Sequence, residues 1–318
     1  MAGILTGLLL AEGVVRVSGT APEVSLIREG RFRLSANPAL GYEPVPRYEY
    51  RGPVTSFHDY SGRSNALGFR DVEHAAVKVP GTLRLVVLGD SVAAGQGVAR
   101  LEDIFPRRLE DDLTTAGLPA EVVSLAVSGY DTGQEVAMLA DRGLAFEPDR
   151  VILAYCLNDR QRSDGGILET LEERERNAAG QVRARYHPVL VESALYRLLR
   201  HRLGGAPKAG AERKGASQPE AFAQLGRMAG AHGFSVLVVI FPRFGEWGNY
   251  PEEWAREHER VRRMADAEGF EVLDLLPAFE RCRERASEPL ALDRYHPTAV
   301  GHACAARAVT EHLVRRGW

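Results

Sequence analysis

The sequence predicts an α/β protein built on a five-stranded parallel sheet, and three observations carry that expectation. Short runs rich in Val, Ile and Leu recur from Leu83 onward, amphipathic stretches with helix start and stop signals separate them, and the runs have the apolar character of strands buried on both faces. The strand candidates are Leu83 to Leu88, Glu121 to Leu125, Arg150 to Tyr155, Ser235 to Phe241 and Glu271 to Leu273.

Taken in order, the chain opens with an apolar run from Ala2 to Leu10, far short of the roughly 20 residues that cross a bilayer and with no Lys or Arg before it. It reads either as the remnant of a longer anchor, which implies membrane attachment and a place in the cell envelope, or as an amphipathic helix docked on the body of a cytoplasmic protein. Residues 22 to 80 are rich in Pro, Arg and aromatics and show neither a helical nor a strand period, so residues 1–80 are expected as a hydrophobic start and an irregular segment packed on the main domain, 81–318.

Between the strands, Phe105, Leu109 and Leu113 share one helical face with Gly117 as the stop, and Thr132 and Glu135 have capping-box spacing before Val136 and Leu139, with Gly143 as the exit. Trp254, Val261, Met264 and Ala265 form another stripe ended by Gly269, and a last helix follows Pro297. An insertion at about 160–219 interrupts the alternation: a charged helix around Leu168 to Arg176, an amphipathic helix through Leu195, Leu198, Leu199 and Leu203, and a Gly-, Ala- and Lys-rich tail, Gly204 to Gln218, expected to be disordered.

Composition narrows the function. Forty basic and 43 acidic residues, mixed along 318, give a net charge of −3, which offers nucleic acid no broad attraction. Three cysteines, odd in number and far apart, show no zinc-ligand spacing and read as buried free thiols; no metal or cofactor is expected. Neither a Walker A sequence nor a complete G-x-G-x-x-G occurs, and G-x-S-x-G, which an α/β-hydrolase elbow needs, is absent. Oligomeric state is not legible.

The chemistry-bearing residues stand at strand ends. Val86-Val87-Leu88-Gly89-Asp90-Ser91 runs a buried strand into a small-residue turn, placing a hydroxyl where open α/β sheets bind ligands. A serine needs a base, and of nine histidines only His296, in Asp293-Arg294-Tyr295-His296-Pro297, sits in a suggestive setting, with Asp293 three residues earlier to accept from its Nδ1. Gly129, in Ser128-Gly129-Tyr130, and Asn158, in Cys156-Leu157-Asn158-Asp159, offer amide donors at the same sheet edge, which with the Ser91 amide suit an oxyanion hole. Alone, the Ser91 turn reads equally as a strand-to-loop turn with a helix cap, Gly129 and Asn158 as a loop glycine and an Asx turn, and an isolated Asp-x-x-His more readily as a cap or surface turn; the pairing with Gly89-Asp90-Ser91 reverses that last preference.

In that order, Gly89-Asp90-Ser91, Gly129, Asn158-Asp159 and Asp293-x-x-His296 resemble the four blocks of the SGNH (GDSL-like) hydrolases, over roughly residues 83 to 314. The resemblance implies a flavodoxin-like three-layer α/β/α sandwich. It also implies a serine esterase in which Ser91, His296 and Asp293 form the triad, and Ser91, Gly129 and Asn158 the oxyanion hole, acting on a small-molecule or glycan ester. The third block departs from G-x-N-D, since Cys156 takes the glycine's place. Asn65 and Arg70 lie in a stretch similar to one upstream of the serine in larger envelope members; it reads as a turn that pins the N-terminal segment to the domain more readily than as a pocket wall, for which these two residues, with Cys156 and Phe241, are the candidates. Two rivals keep the fold: an O-acyltransferase on envelope polysaccharide, and a noncatalytic carbohydrate-binding relative.

Overall fold

A computed structural model describes residues 2–21, 30–50, 62–161, 167–169, 171–172, 189–203, 215–245 and 248–317. The chain divides into two compact units, 1–43 with 165–214 and 44–164 with 215–318. The division thus falls near residue 43 rather than 80, and groups the insertion with the start of the chain.

In the first unit, α1 (Ala2–Ser18) packs on α4 (Ala194–Leu203), and short strands β1 (Phe32–Leu34) and β2 (Tyr42–Pro44) pair. The second unit holds a small antiparallel pair, β3 (Glu49–Tyr50) with β4 (Gly62–Arg63), and the main sheet. Short strands therefore exist in residues 22–80, where no strand period was expected. The segment expected as a helix to Arg176 is described only in part, and residues 204–214 of the expected disordered tail lie outside the described residues.

The main sheet comprises β5 (Leu83–Gly89), β6 (Ala120–Ser124), β7 (Arg150–Cys156), β8 (Ser235–Phe241) and β9 (Glu271–Asp274), all parallel, in the order β6-β5-β7-β8-β9. Alternate residues Leu85, Val87, Ile152, Ala154, Leu237, Val239 and Phe241 join one core with α2 (Phe105–Thr115), α7 (Leu276–Arg285) and α8 (Ala299–Arg315). The intervening Val86, Leu88, Val151, Leu153, Val236, Val238 and Ile240 are equally buried, on the side of α3 (Thr132–Asp141), α5 (Gln218–His232) and α6 (Glu252–Ala267). The result is a three-layer α/β/α sandwich. Taking β5 as its first strand, the order is that of flavodoxin-like sheets, whose strand direction of progression reverses between β5 and β7 and opens a crevice at their carboxyl ends.

Two local expectations shift by a residue or a partner. The cap of α3 is Asp131 with Gln134: Asp131 Oδ1 accepts the Gln134 N–H at 3.0 Å, and Gln134 Oε1 accepts the Asp131 N–H at 3.1 Å. Glu135, one place on, is buried with neither carboxylate oxygen bonded among the described residues, and burial followed by the nearby Asp159, Asp90 and Asp131 carboxyls pushes its pKa well up. The cysteines correct the free-thiol reading: Cys282 on α7 and Cys304 on α8 form a disulfide, leaving only Cys156 free and buried. That bridge closes a loop containing both Asp293 and His296.

Candidate active site

The site grows out of the crevice between β5 and β7. Gly89 ends β5 where a Cβ would stand 2.6 Å from that of Ala93, so only glycine lets the turn fold back so tightly. The turn then closes on itself, Ala94 N–H to Asp90 O at 3.0 Å and Gln96 N–H to Ser91 O at 2.9 Å, leaving Ser91 at its mouth.

Asp90 is the scaffold of this turn, a role the sequence reading did not assign. Fully buried, it accepts the Val92 N–H on Oδ1 at 2.8 Å and the Asn158 Nδ2–H on Oδ2 at 2.9 Å, tying the end of β5 to the end of β7. Burial raises its pKa, against the lowering effect of those two donors. The signal was present in the sequence, since Asp90 adjoins Ser91, but its partner stands 68 residues away.

The loop after α7 brings the remaining pieces. Leu292 N–H to His296 O (2.8 Å) and Thr298 N–H to Leu290 O (3.0 Å) fold it into a narrow bend, and Phe244 N–H to Arg294 O (2.8 Å) fastens it beyond β8. Within the bend, Asp293 Oδ1 accepts the backbone N–H groups of Tyr295 (2.7 Å) and His296 (2.8 Å), while Oδ2 meets His296 Nδ1 at 2.7 Å. Burial would raise the Asp293 pKa, but the His296 side chain and these backbone donors outweigh it and hold it at about 2. On the other side of the ring, His296 Nε2 lies 2.9 Å from Ser91 Oγ. Hydroxyl, imidazole and carboxylate are thus in series across 205 residues of sequence.

Gly129 lies in the loop after β6 with φ +81°, held between Val127 N–H to Gly89 O (3.0 Å) and Tyr130 N–H to Val127 O (3.1 Å). Among the described residues no acceptor takes the Ser91 or the Gly129 backbone N–H. Asn158 sits in the 3₁₀ turn after β7, one N–H committed to Asp90 and its Oδ1 buried without a described partner. No described group of His, Cys, Asp and Glu is arranged to hold a metal.

The four pocket-wall candidates fall elsewhere. Phe241 is fully buried, with its ring against Phe105 and Phe279, and Cys156 belongs to the same core, where burial and then the Asp90 and Asp159 carboxyls push its thiol pKa well up. Asn65 is spent on its own turn, accepting from Leu67 N (3.0 Å) and Phe69 N (2.9 Å) and donating to Val72 O (3.1 Å); it borders a cavity of about 440 Å³ beside β6 that contains none of the triad or oxyanion candidates. Arg70 reaches the turn that carries Ser91 from behind. Its guanidinium donates to the carbonyls of Ala94 (3.1 Å), Gly95 (2.7 Å), Val98 (2.5 Å) and Ala99 (3.2 Å), so it braces the turn instead of lining a pocket.

Arg70→Leu leaves those carbonyls without their donor, so it is expected to lower stability by about 3 kcal/mol and to reduce kcat more than it raises KM. Arg70→Lys, with a point charge in place of a planar fork, restores little. Thermal unfolding and steady-state kinetics of the two variants check this; an unchanged kcat in Arg70→Leu contradicts it.

A parallel α/β/α sandwich with a serine, a histidine and an aspartate at its switch point has the architecture of the SGNH-type ester hydrolases. The chain belongs to the GDSL-like Lipase/Acylhydrolase family, whose model matches residues 87–304, and it is a carboxylic ester hydrolase. No curated protein sequence matches it. Solved structures similar to it include an acetyl xylan esterase (16% identity, 73% of this chain and 100% of that one, TM-score 0.45). Another is the psychrotrophic esterase EstA from Pseudoalteromonas sp. (11% identity, 73% and 97%, TM-score 0.44). A third is an acetylxylan esterase from Geobacillus stearothermophilus (18% identity, 72% and 93%, TM-score 0.42). The family assignment rests on the sequence match and not on these structures.

Proposed function

We propose that the protein hydrolyses an acyl or acetyl ester through a Ser91–His296–Asp293 triad and a covalent acyl-enzyme. The observation that carries this reading is the unbroken series from Ser91 Oγ through His296 to Asp293, at 2.9 and 2.7 Å. Asp293 accepts from Nδ1 and so leaves Nε2 unprotonated toward the serine. Ser91 Oγ attacks the ester carbon as its proton passes to Nε2, and the carbonyl oxygen becomes an oxyanion. The N–H groups of Ser91 and Gly129 and the second Nδ2–H of Asn158 receive that charge. Collapse returns the proton from Nε2 to the departing alcohol and leaves an acyl group on Ser91. Water, deprotonated by the same nitrogen, then attacks the acyl carbon and releases the acid, and the proton on Nε2 goes back to Oγ. Fixing Asn158 through Asp90 prepays part of the ordering that the oxyanion demands.

The test is a panel of acetyl, butyryl and octanoyl esters beside acetylated xylan, with and without an oligosaccharide acceptor. Release of free acid supports hydrolysis; transfer to the acceptor in preference to water replaces this reading with acyl transfer, and no turnover on any ester rejects both.

The pH dependence has a defined sign. Asp293 ionises at about 2, below its ordinary 3.8, so the stability it lends is complete above the ordinary value and lost only as pH falls through about 2. It therefore stays charged while imidazole titrates. Log(kcat/KM) is expected to rise with unit slope and then level within roughly pH 5 to 8, because only neutral imidazole accepts the serine proton. A profile flat across that window contradicts His296 as the base.

A further inference from the structure

Four side-chain oxygens close to the site are buried and accept no hydrogen bond among the described residues: both of Glu135, Oδ1 of Asp159 and Oδ1 of Asn158. They belong to two short segments. Glu135 lies in the first turn of α3, shortly after Gly129, while Asn158 and Asp159 lie in the 3₁₀ turn after β7. Thr132, in the same turn of α3, already links the two, its hydroxyl donating to Asp159 Oδ2 at 3.1 Å. A buried acceptor without a donor is costly, and a buried carboxylate without one far more so.

Glu135 is 1% exposed, and the ionisable groups it faces are acids: Asp159 after β7, Asp90 after β5 and Asp131 at the start of its own helix. Asp159 also faces Glu257 on α6, which Arg260 pairs at 2.6 Å; the Cys156 thiol at the end of β7 faces Asp90, Asp159 and Glu135, and Asp90 faces His296. Among the described residues no Lys, Arg or His bonds Glu135, Asp159 or Asp90. Carboxyls crowded together in a low dielectric without a counter-cation do not all ionise, and the proton stays on the one whose charge has the least support. Asp90 accepts from the Val92 N–H and the Asn158 Nδ2–H, and Asp159 accepts from Thr132, whereas Glu135 accepts from nothing. Glu135 is therefore the group that keeps a proton, and with it becomes an O–H donor. The neighbour that acts on it most strongly is Asp159, whose Oδ1 lacks a donor.

We propose that Glu135 is a positioning residue for the ester chemistry: as a neutral carboxylic acid it donates to Asp159 Oδ1 and ties the first turn of α3, which follows Gly129, to the turn that presents Asn158. One proton then helps to set the spacing of two amide donors. This rests on the reading of Gly129 and Asn158 as oxyanion donors; Glu135 touches no substrate and acts through them.

The proton is read directly in the infrared. The spectrum of the unmodified protein minus that of Glu135→Gln at neutral pH is expected to contain the C=O stretch of a protonated carboxyl, whatever the protein hydrolyses. Kinetics read the positioning. Glu135→Leu is expected to lower kcat for a short acyl ester about tenfold or more with KM little changed, because the two donors lose their register. Glu135→Gln, whose NH₂ donates with no proton to lose, recovers most of that kcat. Ionisation of Glu135 removes the donor, so kcat of the unmodified chain falls on the alkaline side, and in Glu135→Gln that fall is missing or lies at higher pH. Should Glu135→Leu fail to fold, Glu135→Gln carries both the spectrum and the pH profile. Absence of the protonated band overturns the proposal, as does an alkaline profile identical in the unmodified chain and Glu135→Gln, or a folded Glu135→Leu with unchanged kcat. Asn158→Ala, assayed beside them, tests the reading underneath: unchanged kcat there, with the band present, rejects the oxyanion role of Asn158 and the positioning role with it, while leaving the proton on Glu135.

Discussion

Ser91→Ala lowers kcat for a short acyl ester by about 10⁴-fold or more, with a KM change of only a few fold and an intact fold. In the proposed mechanism the size follows from what the hydroxyl is asked to do: without it no acyl-enzyme would form, and what would be left is the contribution of the proposed oxyanion donors and of substrate binding, which assist direct attack by water. The fold survives because among the described residues the side chain makes one hydrogen bond, to His296, while the turn is held by Asp90, by its own backbone bonds and by the four carbonyls bound to Arg70. Losing a single hydrogen bond at this site costs about 1 kcal/mol. Initial-rate kinetics with circular dichroism on the same preparation check both halves.

Asp293→Asn is expected to lower kcat by on the order of 10³ to 10⁴-fold, by a different route. Asp293 Oδ1 already accepts two backbone N–H groups, from Tyr295 and His296. An asparagine keeps those bonds by leaving its oxygen there, which turns its NH₂ toward His296 Nδ1. Nδ1 must then accept, so the ring proton moves to Nε2, the nitrogen that faces Ser91. The ring is held in place but in the wrong tautomer, and the charge that would stabilise imidazolium is gone. Near-normal KM with collapsed kcat, and a shifted ring-nitrogen signal in NMR, are the expected signature; a loss within tenfold contradicts the role given to Asp293.

The sheet was readable in the sequence because its physics is local: a strand buried on both faces must be a short aliphatic run, and β8 matches the expected Ser235 to Phe241 at both ends. What escaped depended on distance in space. Cys282 and Cys304 are separated by 22 residues, and only the packing of α7 on α8 makes them neighbours. Arg70 lies 24 to 29 residues before the carbonyls it binds, and nothing in its local sequence distinguishes a brace from a pocket wall. Helix α5 was legible and was not anticipated. Ser217 N–H donates to Glu220 Oε2 at 2.8 Å, an S-x-x-E capping pair followed by Gly233 at the exit, but it follows directly on a Gly- and Lys-rich tail that reads as disorder. Helix α7 has charged side chains at five of its ten positions, which hides the buried Ala278 and Phe279 by which it packs.

The candidate site was legible for a related reason. Sheet topology forces the carboxyl ends of β5, β6 and β7 to one edge, so residues just past those ends meet whatever their separation in sequence. Ser91, Gly129 and Asn158 all stand in such places. The Asp293–His296 loop enters from elsewhere, and its arrival beside Ser91 is a tertiary fact that only the motif order anticipated.

The most direct measurement is mass-spectrometric mapping of the protein after reaction with a fluorophosphonate, which mimics the ester carbonyl and stays on the attacking atom. One phosphonyl adduct, confined to the peptide containing Ser91 and formed far more slowly in His296→Ala, is the predicted result. An adduct on another residue, or a fully active enzyme that takes up none, would contradict the account.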